Sequence, residues 1–362
     1  MAPLVTAIRE PQRGGSQAFV SDLARGLTGR GHEVHVYAAS GSEIPGVEVI
    51  DTGIDPRLLA GTLYRASGPD AGEAAETGAA AAEAAAAAES AFTTAYMTMQ
   101  VIRYDVIHNH AFDAPAIRLA TALRAPVVHT VHLPPDQAVS AALRQVARGS
   151  TPPAVAAVSD FQARAWRRVV PVDAVLPPYP PTRVIGWSGT AGAGALFAGR
   201  LSPEKGAAEA IDIARAAGVP IEVYGDVYDA GYSREQIDPR RGRPGVTVHP
   251  GVPRAALWEI MARAAVVLCP SRWDEPFGLA AAEAQACGTP VVAFRRGGLS
   301  EVIVDGVTGF LVAADDVAAF ADAVARTPGL SRAACRKHAE DRLDLDVSLD
   351  AHERLYRRVA GG

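Results

Sequence analysis

Short runs of apolar, often β-branched residues alternate with alanine-rich helical segments along most of this chain, and this alternation constrains its fold more than any other feature. Most of the runs are continuously apolar, which is typical of parallel strands buried on both faces. Strands that alternate with helices in this way predict an α/β fold with parallel sheets flanked by helices. The predicted strands are residues 4–8, 33–37, 105–108, 126–131 and 155–158, followed by 196–198, 221–224, 246–249, 266–269 and 290–294.

Residues 174–195, "AVLPPYPPTRVIGWSGTAGAGA", contain four prolines and then four glycines, which fits no helix or strand interior. We therefore predict an interdomain linker at 176–194, between an N-terminal domain (1–175) and a C-terminal domain (195–344). Since both halves repeat the strand–helix pattern, we expect two Rossmann-like domains facing across a cleft, which is where a ligand would bind. The amphipathic segment 345–359 predicts a helix, and we expect 345–362 to pack back on the first domain.

Composition excludes several classes of protein. The chain has 362 residues and a formal net charge of -5, which argues against a nucleic-acid binder or a polybasic membrane anchor. Its three cysteines are far apart, which indicates reduced thiols and no cysteine-based zinc site. The alanine- and glutamate-rich segment 73–102 predicts a long helix, broken near Gly78, rather than disorder, and its glutamates interrupt any run long enough to span a membrane. With no signal peptide in view, we expect a cytoplasmic protein.

Two glutamates, Glu275 and Glu283, lie eight residues apart in "RWDEPFGLAAAEAQACGTPVVAF". The segment predicts a loop after a buried strand and then a helix, which Gly288 ends. Free N–H groups at residues 277–279 would form an anion site at the start of that helix. Carboxylates on either side of a bound diphosphate would suit the sugar and the ribose of a nucleotide-sugar. Two ordinary surface charges explain the spacing equally well.

A second candidate is "ALFAGRLSPEKGAAEAIDIA" (195–214), which predicts a strand, a Gly-Arg turn and a helix with Ser202 as its N-cap. The chain has only two lysines, and one of them, Lys205, lies in this turn, five residues after Arg200. Together they could neutralise a diphosphate, the arginine through its planar fork and the lysine as a point charge. Ordinary charges at a helix start are the alternative.

The combination of Gly-Arg…Lys-Gly, Glu-Pro-Phe-Gly-Leu with a second glutamate, and "GGLSEVIVDGVTGFLV" closely resembles the retaining family-4 glycosyltransferases of GT-B architecture. The N-terminal half adds "RGGSQAFVSDLARGLTGRGHEVHVYA" (13–38), "DVIHNH", "VVHTVH" and "AVSDF". The resemblance extends through nearly the whole chain and is most specific at 196–312.

The resemblance implies a role for each matching residue. Arg200 and Lys205 would bind the donor diphosphate, Glu275 the donor sugar, and Glu283 the nucleotide ribose. His132 matches an active-site histidine near the donor sugar. The remaining donor contacts would come from glycines that allow close approach and from backbone along the sugar and base: Gly14, Gly15, Gly199, Gly225, Val252, Phe277, Gly278 and Leu279. Two segments depart from the family pattern, "PPYPP" in the linker and "GDVYDAGY" after the "VYG" strand.

The predicted reaction is a retaining transfer from a UDP- or GDP-type sugar to a hydroxyl of a small-molecule acceptor. A same-face mechanism is favoured because no covalent nucleophile is evident. The resemblance implies no metal and no cofactor, although His108, His110, His129 and His132 could be imagined as a metal site. A nucleotide-sugar epimerase and a non-catalytic nucleotide-sugar sensor remain the alternatives, while a phosphorylase would need a Schiff-base lysine for which Lys337 is a poor candidate. A peripheral membrane contact through 163–170 is not favoured.

Overall fold

The computed structural model describes residues 1–12, 14–56, 59 and 78–361, without the side chains of 78–84. It divides into two compact units, one formed by Met1–Arg9, Ser16–Pro177 and Ser348–Gly362, and the other by Glu10–Gly15 and Pro178–Val347. The proline-rich part of the predicted linker therefore groups with the second unit from Pro178 onward, and the last fifteen residues group with the first.

The strands are short and lie between helices along the chain. They are β1 (His35–Ala38), β2 (Glu48–Asp51), β3 (Ile107–Asn109), β4 (Val127–Val131), β5 (Ala154–Ala157), β6 (Ala174–Val175), β7 (Ala195–Ala198), β8 (Ile221–Tyr224), β9 (Val246–His249), β10 (Val266–Cys269), β11 (Val291–Phe294) and β12 (Gly309–Val312). The helices are α1 (Gly15–Gly29), α2 (Gly78–Val101), α3 (Ala114–Leu119), α4 (Gln137–Val146), α5 (Asp160–Trp166), α6 (Ala207–Ala216), α7 (Ala230–Tyr232), α8 (Arg254–Arg263), α9 (Leu279–Ala286), α10 (Leu299–Val302), α11 (Val317–Arg326), α12 (Arg332–Arg342) and α13 (Leu345–Val359).

The first unit contains two parallel sheets, β1-β2 and β3-β4-β5-β6. Backbone hydrogen bonds of Met1 and Ala2 connect them, because Ala2 N donates to Tyr37 O and His110 N donates to Met1 O, both at 2.9 Å. The predicted strand at 4–8 is wrong. Its apolar side chains are buried, but the backbone of Ile8 bonds to the 42–43 turn instead of to a neighbouring strand.

The second unit is built on one six-stranded parallel sheet in the order β12-β11-β10-β7-β8-β9. Its core packs apolar residues of the central strands against α6 and α11, as the continuously apolar runs predict. The other predicted strands are confirmed to within two residues at each end. The strands β2, β6 and β12 were not predicted, because β2 is half exposed, β6 has two residues and β12 begins at a glycine.

In two helices, α2 and α13, the apolar residues of the sequence pattern are the ones that are buried. In α2, Phe92, Ala95 and Met99 recur at helical spacing on the buried side, as an alanine-rich helix with one apolar stripe requires. The helix begins at Gly78, and residues 73–77 of the predicted segment lie outside the described residues. In α13, Leu349 and Leu355 are buried, and Leu355 packs with Val128 of the first unit. Within the described residues, no helix is both long and apolar enough to cross a membrane.

Candidate active site

The charged side chains predicted to bind a donor lie mainly in the loops at the carboxyl ends of β7 and β10, in the second unit. The chain runs from β7 to β8 and β9 on one side and returns to place β10, β11 and β12 on the other. The order of the sheet therefore reverses between β7 and β10. In open α/β sheets, ligands bind beyond the carboxyl ends of the strands at such a switch point.

The turn after β7 carries the first basic pair. A short 3₁₀ helix, Pro203–Lys205, follows Ser202, and Gly206 separates it from α6 with a φ of 74°. The expected cap is not formed, because the Ser202 side chain makes no capping hydrogen bond. A Cβ on Gly206 would lie 2.3 Å from the carbonyl oxygen of Pro270, so this glycine lets the loops after β7 and β10 touch.

Lys205 and Glu275 meet across the switch point. The Lys205 ammonium donates to both carboxylate oxygens of Glu275, at 2.6 and 2.9 Å. Trp273 Nε1 donates to the same carboxylate at 2.8 Å, and Ser271 Oγ donates at 3.3 Å. Because the Glu275 side chain is only 14% exposed, this set of donors holds it in one orientation.

The electrostatics of the pair agree with its geometry. Burial alone would raise the pKa of the Glu275 carboxyl, but the charge and hydrogen bonds of Lys205, the Trp273 hydrogen bond and the charge of Arg200 together hold it below its usual value. The carboxylate is therefore ionised at neutral pH. Arg200 is close enough to contribute to the same field as Lys205.

Arg200 is held by neighbours on two sides. Its guanidinium donates to Glu204 Oε1 at 3.1 Å and lies 4.2 Å from the centroid of the Tyr228 ring. The arginine side chain stays 27% exposed, so its planar fork is oriented but accessible.

The helix that follows β10 begins at Leu279, in the turn where the sequence predicts an anion site. Its N-cap, Gly278, has a φ of 105° and makes no side-chain cap. The first intrahelical bond runs from Ala281 N to Gly278 O at 3.0 Å, which leaves the preceding N–H groups of this turn outside the helical ladder. A Cβ on Gly15 would lie 3.6 Å from Leu279 Cδ2, so the N-terminal loop contacts this turn. Gly14 is half-buried in the same loop, and Arg13 lies outside the described residues.

Phe277 is buried just before this turn and packs on Tyr179, with ring centroids 5.7 Å apart. The segment around Glu275 is also in close contact with the loop after β11. A Cβ on Gly297, whose φ is 58°, would lie 2.1 Å from the carbonyl oxygen of Glu275. Gly298 N donates to the same oxygen at 2.7 Å. The loop after β11 therefore also holds the backbone at Glu275, in addition to the loops after β7 and β10.

Glu283 lies in the second turn of α9 and is 5% exposed. Arg254 approaches its Oε1 with Nε at 2.9 Å and Nη2 at 2.7 Å, and Trp258 Nε1 donates to the same oxygen at 3.0 Å. Sequence reasoning missed both partners. Their i, i+4 spacing between two predicted strands was the available signal, because on a helix it places two polar donors on one face.

The predicted contacts at Gly199, Gly225 and Val252 lie on the β8–β9 side of the switch point. A Cβ on Gly225 would lie 1.8 Å from the carbonyl oxygen of Gly199, so only glycine fits there. Val252 is half-buried and follows Gly251, whose N–H donates to Asp226 Oδ1 at 3.0 Å. The structure thus places these backbone positions beside the turn that carries Arg200.

His132 lies in the first unit, directly after β4. Its Nε2 is 3.0 Å from Nδ1 of His110, and both imidazoles are buried. Burial, with a smaller effect of His352, lowers the pKa of His132 to about 3, so the ring is neutral. The loop that follows is fixed by Trp166, whose Nε1 donates to Leu133 O at 2.9 Å.

The other histidines of the first unit form hydrogen bonds rather than a ligand set. His108 lies between Tyr356 Oη and Thr130 Oγ1, each 2.6 Å from one ring nitrogen, and stacks on His110 with centroids 4.0 Å apart. His129 Nδ1 is 2.8 Å from Asn109 Nδ2. In the part of the chain that the structure describes, no three histidine, cysteine or acidic side chains are grouped to hold a metal ion.

Comparison with known proteins matches both halves of the chain to sugar-transfer families. Residues 13–178 match "Glycosyltransferase Family 4", and residues 192–339 match "Glycosyl transferases group 1". A D-inositol 3-phosphate glycosyltransferase from Xylanimonas cellulosilytica is 31% identical over 410 residues, covering 95% of this chain and 94% of its own. The chain belongs to glycosyltransferase family 4. The enzyme of the same name from Acidothermus cellulolyticus is 29% identical over 375 residues, covering 88% of this chain and 79% of its own.

Solved structures with the same fold are GT-B glycosyltransferases. Sucrose-phosphate synthase from Thermosynechococcus elongatus aligns with a TM-score of 0.74 at 19% identity, covering 99% of both chains. The Anabaena protein HepE in complex with UDP-glucose aligns with a TM-score of 0.67 at 21% identity, covering 96% of this chain and 97% of its own. The predicted GT-B fold and the predicted family are both confirmed.

Proposed function

We propose that this family-4 glycosyltransferase moves a sugar from a UDP-sugar to a hydroxyl of a small-molecule acceptor, with retention of the anomeric configuration. The pair formed by Lys205 and Glu275 across the switch point carries the proposal. In this pair a cation and a carboxylate lie together at the position where α/β sheets bind nucleotides.

The diphosphate of the donor would be bound by Lys205, Arg200 and the first turn of α9. Lys205 uses two of its three N–H groups on Glu275, so a third can reach a phosphate oxygen. The guanidinium of Arg200 is oriented and partly exposed, as bidentate phosphate binding requires. Such preformed donors stabilise the negative charge that develops as the diphosphate departs.

The chemical step would proceed on one face of the sugar. The bond from the anomeric carbon to the diphosphate oxygen breaks, and a new bond forms to the acceptor oxygen from the same side. The acceptor proton passes to the departing phosphate oxygen. Glu275 and His132 would orient the sugar, Glu283 would bind the ribose, and the proposal includes no resident metal or cofactor.

Two comparisons support the choice of substrates. The Anabaena relative in fold was solved with UDP-glucose, which favours a uridine donor. The relatives in sequence are named for D-inositol 3-phosphate, which makes a cyclitol phosphate the first acceptor to test.

A thermal-shift screen tests the donor. The screen compares UDP-, GDP-, ADP- and dTDP-sugars. We expect only the UDP-sugars to raise the melting temperature, by about 5 °C at a ligand concentration of 100 times Kd, because binding to the native state stabilises it by mass action. The Glu283→Gln variant should show a smaller ligand-induced shift. A shift with all four nucleotides alike would contradict the uridine donor, and an unchanged shift in the variant would contradict the ribose assignment.

Product analysis tests the reaction. With UDP-glucose and D-inositol 3-phosphate, we expect release of UDP and an α-configured product, seen by its anomeric proton coupling in NMR. A β-configured product would overturn the same-face mechanism. Conversion of the donor into another nucleotide-sugar without acceptor would favour an epimerase, and binding without UDP release in any acceptor mixture would favour a sensor.

A further inference from the structure

Three nitrogens of one helix lie close to a single oxygen of the Glu283 carboxylate, and two of them, Arg254 Nε and Trp258 Nε1, donate hydrogen bonds to it. Arg254 Nε and Nη2 and Trp258 Nε1 all lie within 3.0 Å of Oε1. A carboxylate has two oxygens and about four acceptor positions. None of these three contacts uses Oε2, and together they hold Oε1 in place between Arg254 and Trp258.

The two donors are themselves fixed. Arg254 and Trp258 are four residues apart on α8, so they project from the same face of the helix. The guanidinium lies 5.0 Å from the centroid of the Trp258 ring. The N–H of Arg254 donates to Glu10 Oε2 at 3.0 Å, which places a carboxylate at the positive end of α8.

A purely structural bridge between α8 and α9 would not explain this pair. The side chains of Arg254 and Glu283 are 10% and 6% exposed. Burying an ion pair is often no more stabilising than an apolar pair of similar volume, because both charges lose their hydration. What the pair does supply is a buried carboxylate with one oxygen fixed beside a cation, which is what recognition of a neutral diol requires.

We propose that Arg254 is a positioning residue that, with Trp258, orients Glu283 so that Oε2 accepts hydrogen bonds from the 2′- and 3′-hydroxyls of the donor ribose. Arg254 then determines how strongly the enzyme prefers ribonucleotide over deoxyribonucleotide donors. This inference rests on the proposed function. Arg254 itself touches neither the nucleotide nor the sugar.

The test compares the affinities of UDP, 2′-deoxy-UDP and 3′-deoxy-UDP by calorimetry. Because a hydrogen bond to a charged acceptor is among the stronger ones, we expect wild type to bind UDP roughly 10-fold or more tightly than either deoxy analogue. In Arg254→Lys, which keeps the charge but loses the planar fork, the preference should fall below about 3-fold. Trp258→Phe, which loses one donor and keeps the ring, should give an intermediate preference and serves if Arg254→Lys does not fold.

Two controls separate positioning from general damage. Arg240→Lys changes an arginine of the same unit that pairs with Asp212 at 2.7 Å, and it should leave both UDP affinity and the preference unchanged. In a Glu283→Gln background, which has already lost the preference, Arg254→Lys should change it no further. If Arg254→Lys weakens all three ligands equally and keeps the wild-type preference, the inference is wrong while the proposed function stands. If wild type binds no UDP, the proposed function fails and the inference fails with it.

Discussion

Replacing Lys205 with methionine is expected to lower kcat/KM by about 10²–10³-fold, the loss typical of removing one preformed donor to a developing anion. Methionine preserves the length and packing of the side chain but removes the charge. Most of the loss should appear in kcat, because the negative charge on the diphosphate is largest in the transition state. The measurement is steady-state UDP release with saturating acceptor.

The chain supplies its own control in its only other lysine. Lys337 lies on the surface of α12 and pairs with Asp341 at 2.8 Å, so Lys337→Met should leave kcat/KM unchanged. Since Lys205→Met also leaves the Glu275 carboxylate without its cation, Lys205→Met/Glu275→Gln is compared with Glu275→Gln alone, and this comparison gives the loss caused by the lysine when that carboxylate is absent. A Lys205→Met enzyme within about threefold of wild type would contradict the assignment of Lys205 to the leaving group.

Much of this site was predictable because the relevant residues lie next to recognisable strand ends. Lys205 and Glu275 each follow a buried strand, and turn glycines and prolines identify the loops that carry them. Their contact was not predictable from these patterns, since the two residues are 70 positions apart in the chain. It depends on β7 and β10 being neighbours, which is a property of the sheet order and not of either segment.

The failures also have physical causes. Residues 4–8 have the composition of a strand, but composition does not determine which backbone partner a segment finds, and Ile8 bonds to a turn. Ser202 has the right type and position for a cap, yet Gly206 interrupts the helix one turn later. The role of Arg254 was missed because a buried arginine looks like a surface one until its partner on another helix is known.

The histidines of the first unit show the same limit. Alternation along β3 places His108 and His110 on one face, as the sequence predicts. α13 covers His108 with Tyr356 and His352, and His108 and Tyr356 are 248 residues apart in the chain. Whether these imidazoles are exposed hydrogen-bonding groups or a buried neutral cluster is therefore decided by the packing of the last helix.

That buried cluster leads to the second large prediction, which is that acid destabilises the first unit as the pH falls below the pKa of an unfolded histidine. Burial lowers the pKa of His129 and of His132 to about 3 and that of His352 to about 4. In the unfolded chain a histidine has a pKa near 6.5. Between these values the unfolded state binds protons that the folded state cannot, so stability is full above pH 6.5 and is lost as the pH falls toward the folded values.

The free energy of unfolding falls by about 0.7 kcal/mol per pH unit for each such histidine at pH 6.5 and by about 1.4 at lower pH, so these three histidines together cost roughly 5 kcal/mol between pH 6.5 and pH 5. A loss of this size is comparable to the whole stability of a typical domain. Urea unfolding followed by circular dichroism at pH 7.5, 6.5 and 5.5 measures this loss of stability.

Two variants serve as controls. His352 Nδ1 lies 2.7 Å from Ser348 O, so His352→Asn keeps a hydrogen-bond donor there. Because it removes one titrating group, the free energy of unfolding should fall less steeply with decreasing pH than in wild type. Tyr356→Phe, which removes a hydrogen bond but no proton in this range, should lower stability at every pH without changing the slope. A free energy of unfolding that stays constant from pH 6.5 to 5.5 would show that the cluster opens to solvent and takes up protons while folded.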